Sequence, residues 1–161
     1  MLLAIDPGNI QSAYVLMDGY HCTDFGKLPN NELLAIVSKG AYRFCAIEMV
    51  ESYGMAVGRE VFDTCVWIGR FSQAAISAGV VPRYIPRRSV KLNLCGNSRA
   101  KDTNVRQALI DRFAKHDLKN GKGTAKNPDW FHGFKSDIWA AYAVGVTWLD
   151  GEDNRHKLLS Y

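Results

Sequence analysis

The stretch that decides the fold is residues 1–17, MLLAIDPGNIQSAYVLM. Two apolar runs, residues 2–5 and 13–17, flank Asp6 and the turn pair Pro7-Gly8. This pattern predicts two antiparallel strands joined by a tight connection. A run that is apolar on both faces is typical of a central strand covered on both sides. Asp6 is therefore expected at the end of a central strand, where a ligand can approach the sheet.

A third apolar run, residues 43–48, ends in a carboxylate, Glu48, as the first run is followed by Asp6. Two parallel neighbouring strands of this kind bring Asp6 and Glu48 to one sheet edge, where open α/β sheets bind ligands. A third acid, Asp137, lies in the first turn of a predicted last helix that begins near Ser136. Each acid also has an ordinary structural explanation: a turn explains Asp6, and the helix dipole explains Asp137.

The remaining segments alternate between strand and helix patterns, which predicts an α/β fold class. The chain is expected to form one domain over residues 1–150, followed by a frayed polar tail over 151–161. The other predicted elements are a strand over 21–27, a helix over 30–37 that ends at Gly40, a long helix over 55–78, a strand over 80–86, a helix over 101–114 and a loop over 115–129 that is mobile without its ligand.

Composition excludes several classes of protein. A hydrophobic content of 47% and a charged content of 22% are ordinary for a globular domain, and no window approaches the roughly 18 apolar residues of a membrane span. The N-terminal run lacks the basic leader of a signal peptide, so a cytoplasmic protein with no membrane partner is expected. The four cysteines are widely spread and form no CxxC pair, which favours reduced thiols over a structural zinc site.

Residues 83–106 carry a local excess of positive charge, with Asp102 as the one acid among seven basic residues. Such an excess predicts a polyanionic partner. Basic side chains neutralise phosphates without reading bases, and amide and hydroxyl groups add hydrogen bonds to the backbone. The predicted phosphate-binding residues are Arg87, Arg88, Lys91, Asn97, Ser98, Arg99 and Lys101.

Three acids at one sheet edge repel one another unless protons or metal ions neutralise them. Mg²⁺ takes oxygen ligands, and two such ions about 3.5–4 Å apart hold a phosphodiester, activate water and stabilise the leaving oxygen. Asp6, Glu48 and Asp137 therefore predict a magnesium-dependent phosphodiesterase site.

The segments LAIDPG, CAIEM and SDIWAAYAVG, in this order, resemble the RNase H-like nuclease fold and, more narrowly, the RuvC-type Holliday-junction resolvases. The resemblance spans residues 3–146 and implies a central mixed five-stranded sheet with helices on both faces. It implies that Asp6, Glu48 and Asp137 bind Mg²⁺, with Mn²⁺ as a possible substitute and two ions in each site. It also places Lys91 and Lys101, as further catalytic residues, beside the scissile phosphate.

The same resemblance implies a homodimer that cuts branched DNA with two symmetric nicks. Residues 53–58 and 67–71 resemble phage-encoded members of the family, whose location is the host cytoplasm.

The chain departs from the family pattern at two places. The family usually has a fourth metal ligand one helical turn before the last aspartate, where this chain has Phe134. His132 is the favoured substitute, with Asp129 and Glu51 as alternatives, although a loop histidine without a metal fits His132 equally well. The family also has an aromatic wedge near its glutamate; here Tyr53 either stacks on a base at the branch point or packs within the protein.

The leading hypothesis is a metal-dependent endonuclease that resolves four-way DNA junctions. The alternatives are an RNase H-like nuclease for RNA–DNA hybrids or flaps, and a junction-binding protein without cleavage, which Phe134 favours. An exonuclease of the DxE type is disfavoured because Pro7-Gly8 leaves no glutamate two residues after Asp6. A sugar kinase or actin-like ATPase is disfavoured because 161 residues leave no room for the second half of such a protein.

Overall fold

Five strands form one mixed sheet in a computed structural model that describes residues 1–159, with side chains through Asp153. Their order across the sheet is β3-β2-β1-β4-β5. β2 is antiparallel to both β1 and β3, and β4 is parallel to both β1 and β5. The strands are β1 (Leu2–Asp6), β2 (Gln11–Asp18), β3 (His21–Pro29), β4 (Phe44–Met49) and β5 (Arg83–Pro86). The predicted hairpin and the predicted parallel neighbours are confirmed.

Helices cover both faces of the sheet. α1 and α2 pack against one face, and α3, α4 and α5 pack against the other. The helices are α1 (Asn30–Lys39), α2 (Arg59–Ser77), α3 (Arg87–Cys95), α4 (Asp102–Phe113) and α5 (Ile138–Leu159). The predicted mixed five-stranded sheet with helices on both faces is confirmed.

β1 is apolar along its whole length because it contributes to two cores. Leu3 and Ile5 pack in the core beneath α1 and α2, whereas Leu2 and Ala4 pack in the core beneath α5. Side chains alternate between the two faces of a strand, so the next residue, Asp6, belongs to the α5 face.

α5 lies close to the centre of the sheet because it carries a glycine at the contact. A side chain at Gly145 would collide with Met17 and press on Ala4. This close approach sets the height of α5 above β1 and β2, and with it the position of the helix start, where Asp137 lies.

Several predicted elements differ from the structure; β5, for example, begins at Arg83 rather than at residue 80. α2 begins at Arg59 rather than at residue 55, because the preceding loop contains Gly54 at φ 77° and ends in an extended Gly58. Residues 87–95, for which no element is predicted, form α3, which Gly96 ends in a left-handed conformation. α5 continues to Leu159 instead of fraying after residue 150; residues 160 and 161 of the predicted tail lie outside the described residues.

Two expectations from composition can be compared with the structure. The four cysteines are free thiols, as predicted. Within residues 1–159, no helix has the length and apolarity required to cross a membrane.

Candidate active site

Strand register places Asp6, Glu48 and an unpredicted lysine in one row across the sheet. Asp6 pairs with Ala13 of β2, and Ala13 pairs with Lys27 of β3. On the other side, Ile5 is opposite Ile47, so the parallel register continues with Glu48 beside Asp6. Residues in one such row point to the same face, which here is the face covered by α5.

The turn after Asp6 is held by a buried polar network. The Ser12 hydroxyl accepts the backbone N–H of Gly8 at 3.1 Å and donates to Oδ1 of Asn30 at 2.6 Å. The Asn30 amide in turn donates to the carbonyl of Gly8 at 2.9 Å. Ser12 and Asn30 are both buried, so the Asp-Pro-Gly turn is fixed by side chains rather than left to solvent.

Asp137 is positioned by α5, the helix that covers the face of the sheet on which Asp6 and Glu48 lie. It directly precedes α5, and its carbonyl accepts the backbone N–H of Ala141 at 3.0 Å. Ser136 before it has φ 49°, a left-handed conformation that is uncommon for a residue other than glycine. The three acids line one cavity of about 140 Å³. The other lining residues are Arg87, Val90, Lys91, Asp102, Val105, Arg106, Ser136, Trp139, Ala140 and Ala143.

Burial raises the pKa of Asp6 to about 8, and the nearby charges of Glu48 and Asp137 contribute to this rise. Among the described residues, none donates a hydrogen bond to the Asp6 carboxylate. Burial also raises the pKa of Glu48, against the opposing effect of Arg87. The protein therefore compensates the three acids only partly, and Asp6 retains its proton to a higher pH than a free carboxyl group does.

Asp137 and Glu48 each form an ion pair with a basic side chain of the protein. Lys27 Nζ lies 2.5 Å from Oδ2 of Asp137. The Arg87 guanidinium donates to Glu48 Oε1 at 3.0 Å and to Asp102 Oδ2 at 2.7 Å. Arg87, predicted to bind phosphate, is thus engaged by two carboxylates.

The donor set fits a divalent metal ion, although the side chains are not arranged around one. Within the described residues, no group of three or more His, Cys, Asp or Glu side chains is clustered closely enough to hold a metal. Asp137 and Glu48 are instead directed to Lys27 and Arg87. The three carboxylates remain the oxygen ligands that Mg²⁺ and Mn²⁺ prefer, and the raised pKa of Asp6 marks a place where a cation is favoured.

A basic groove adjoins the cavity. Arg87 and Lys91 line both, so they form the wall between them. The groove is lined by Tyr53, Arg87, Arg88, Lys91, Ser98 and Arg99, six of the eight residues predicted to bind DNA.

The other two predicted DNA-binding residues, Asn97 and Lys101, line neither the cavity nor the groove. Asn97 Oδ1 accepts the backbone N–H of Arg99, and Lys101 is the residue before the first turn of α4. Tyr53 is 57% exposed, and its hydroxyl donates to Glu51. The stacking role predicted for Tyr53 stays a prediction.

The residues considered for a fourth metal ligand lie away from the cavity lining. Phe134 is buried in an aromatic cluster, with its ring centroid 4.8 Å from that of Phe25. His132 is exposed, and its Nδ1 lies 3.2 Å from the carbonyl of Lys122. Asp129 accepts backbone N–H groups of the loop. The structure does not bring His132 to the three acids.

Sequence reasoning missed three charged residues of the cavity and its rim, Lys27, Asp102 and Arg106. Lys27 is detectable by counting register from Asp6 through Ala13, because the hairpin and the third strand are both predicted. In the sequence, Asp102 stands out only as the single acid of a basic segment. Its position at the start of α4, facing Arg87, depends on packing that no local pattern indicates.

No protein-family model matches the sequence, and a search of curated proteins gave no match. Solved structures do match. The structure of Thermus thermophilus RuvC aligns with a TM-score of 0.65 at 15% identity, covering 95% of this chain and 96% of that one. T. thermophilus RuvC in complex with a Holliday junction substrate aligns with a TM-score of 0.61 at 19% identity, covering 91% and 90%. The chain therefore has the RNase H-like fold found in RuvC.

Proposed function

We propose that this protein is a metal-dependent endodeoxyribonuclease that resolves four-way DNA junctions by symmetric nicks. The observation that carries the proposal is the convergence of Asp6, Glu48 and Asp137, from three distant parts of the chain, on one cavity beside a basic groove. The match to RuvC bound to a Holliday junction supports this choice among the activities that the fold hosts.

Asp6, Glu48 and Asp137 would hold the metal. When bound, Mg²⁺ or Mn²⁺ would supply activation of water and stabilisation of charge on the phosphodiester. Asp6 has the strongest requirement for a cation, since it is buried beside two other acids without a hydrogen-bond donor among the described residues. Two ions per site, and Mg²⁺ with Mn²⁺ as a possible substitute, stay predictions.

The groove would bind the sugar–phosphate backbone next to the cavity. Arg88 and Arg99 offer positive charge along it, and Ser98 offers a hydroxyl. Lys91, which lines both groove and cavity, is placed to add positive charge beside a phosphate entering the site. The same role predicted for Lys101 has less support, because Lys101 lines neither feature.

Two symmetric nicks require two sites, which is why a homodimer belongs to the proposal. α2 has large apolar side chains that the single chain leaves exposed, with Phe62 at 62% and Val66 at 61%. Exposed apolar surface of this kind supports an interface with a second copy. Cytoplasmic location and a phage-encoded origin also stay predictions.

Cleavage of a labelled synthetic four-way junction in Mg²⁺ tests the function, with linear duplex and an RNA–DNA hybrid as competing substrates. We expect paired symmetric nicks on the junction, lost in Asp6→Asn while junction binding persists. Glu32→Gln, an exposed change in the first turn of α1 on the other face of the sheet, is the matched control and should cut normally. Binding without cutting by the unaltered protein would favour the non-cleaving alternative, and cutting of the hybrid alone would favour a ribonuclease.

Salt dependence of junction binding tests the groove separately. Each phosphate neutralised on duplex DNA contributes about 0.9 to the slope of log K against log salt. Arg88→Ala and Arg99→Ala should each lower that slope by about 1. Lys39→Ala, which removes an exposed lysine in the last turn of α1, should leave the slope unchanged.

A further inference from the structure

The ion pair between Lys27 and Asp137 links the edge of the sheet to the start of α5. The two atoms, Nζ and Oδ2, are 2.5 Å apart, and the side chains come from residues 110 positions apart in the chain. The lysine side chain is 33% exposed and the aspartate 49%. An ion pair this exposed adds little to stability by itself, so its importance depends on what else it influences.

The pairing of the strands places Lys27 on the same face of the sheet as the acids. Lys27 is opposite Ala13, which is opposite Asp6, so the lysine and Asp6 share one row and one face. Its ammonium group therefore points to the same side as the acids. Lys27 also lowers the pKa of Asp6, whereas Asp137 raises it, so the three charges act on one another.

The ion pair also changes how the acids are arranged. Asp137 is directed to Lys27, and Glu48 is directed to Arg87, whereas Asp6 forms no ion pair within the described residues. A divalent ion needs oxygens that converge on one point. Oδ2 of Asp137 is paired with Lys27 instead.

We propose that Lys27 is a resident cation of the carboxylate site, a positioning residue that holds Asp137 over the sheet without metal and is displaced from Asp137 when a divalent ion binds. This rests on the proposed function, because it assigns the metal to the same three acids. Lys27 then competes with the metal, and the resting protein binds the ion more weakly than its acids alone would allow.

A purely structural ion pair makes a different prediction. If Lys27 only tied β3 to α5, its removal would destabilise the protein equally with and without metal and would not change metal affinity. If Lys27 competes with the metal, removal of its charge strengthens metal binding, since a positive charge beside a divalent ion opposes it. Binding and stability are then coupled reciprocally.

The test measures Mn²⁺ binding to the DNA-free full chain by titration calorimetry, with no cleavage readout. We expect Lys27→Met and Lys27→Gln to bind Mn²⁺ about tenfold more tightly than the unaltered protein. Lys27→Arg, which retains the charge, should bind as the unaltered protein does. Lys39→Met, an exposed change in the last turn of α1, is the matched control and should have no effect.

Thermal unfolding provides the second readout. In EDTA, Lys27→Met should unfold at a lower temperature than the unaltered protein, because the acids lose part of their compensation. The increase in Tm on adding saturating Mn²⁺ should be larger in the variant than in the unaltered protein.

Unchanged or weaker Mn²⁺ binding in both uncharged variants, with binding by the unaltered protein intact and lost in Asp6→Asn, would overturn the role of Lys27 and leave the proposed function standing. An unaltered protein that binds no Mn²⁺ would overturn the metal-dependent function itself, and the role of Lys27 with it.

Discussion

Two aspartates, Asp6 in the cavity and Asp129 in the loop that precedes α5, have opposite surroundings. Asp6 is buried beside two acids, and its pKa is raised to about 8. The Asp129 carboxylate accepts backbone N–H groups at 2.7–2.8 Å from Lys115, His116, Asp117 and Trp130, which hold its pKa well below its usual range. A carboxylate whose lone pairs are filled by the backbone is satisfied, and one buried among other acids needs a cation.

This difference explains why Asp129 is a poor metal ligand despite lying close in sequence to Asp137. Its oxygens organise the loop, as do those of Asp117, which accept N–H groups of Asn120, Lys122 and Gly123. These hydrogen bonds hold residues 115–129 together. The mobility predicted for this loop without its ligand stays a prediction. The carboxylates of the loop are satisfied by backbone N–H groups, whereas Asp6 in the cavity has no such donors among the described residues.

Neutralising an acid of the cavity should give the largest effect. Glu48→Gln keeps the side-chain shape but removes a carboxylate and its ion pair with Arg87. We expect junction cleavage to fall by about a hundredfold to a thousandfold, the range for loss of one transition-state contact. Initial rates on the labelled junction check this, with Glu60→Gln in the first turn of α2 as the control. A variant that cuts within about threefold of the unaltered protein would contradict the assignment.

Removing the acid of the loop should instead cost stability. Asp129→Ala leaves four backbone N–H groups without their acceptor. We expect Tm to fall by several degrees while Mn²⁺ affinity of the folded protein stays the same. Calorimetric unfolding and Mn²⁺ titration check this, with Asp111→Ala on α4 as the control. Loss of Mn²⁺ binding in a folded Asp129→Ala protein would make Asp129 a ligand after all.

The sequence predicts most of the sheet because its signals are local. The run that ends at Asp6, the run that ends at Glu48 and the turn at Pro7-Gly8 identify two parallel strands and a hairpin. The parallel pairing follows from runs that are apolar on both faces. The sequence alone therefore suffices to assign Asp6 and Glu48 to one edge of the sheet.

The parts that escape prediction depend on contacts between distant residues. Lys27 and Arg87 hold two of the acids across 110 and 39 residues of chain. The helix α3 has too few apolar residues to show a clear periodicity, since Val90 is its one buried residue. The family pattern makes Phe134 a missing ligand, whereas the structure makes it a core residue with Phe131 and Trp139 as ring neighbours.

The smallest expected effect is on the pH dependence of stability without metal, to which Asp6 and Asp129 contribute with opposite sign. The pKa of Asp6 is higher in the folded protein than the usual 3.8, so the folded state retains a proton that the unfolded state releases. Stability from this group is fully present below about pH 4 and is lost as pH rises to about 8. Asp129 has the opposite sign: its pKa is lowered by folding, so its contribution is present above about pH 4 and is lost as pH falls.

Thermal unfolding in EDTA from about pH 3 to about pH 9 separates the two contributions. Asp6→Asn should flatten the decline of Tm between about pH 4 and pH 8 and leave the loss below about pH 4 in place. Asp129→Ala should weaken the loss below about pH 4 and leave the decline at higher pH intact. If Asp6→Asn follows the unaltered protein across the whole range, Asp6 is ionised in the folded protein at neutral pH, and the cavity compensates its charge without a metal.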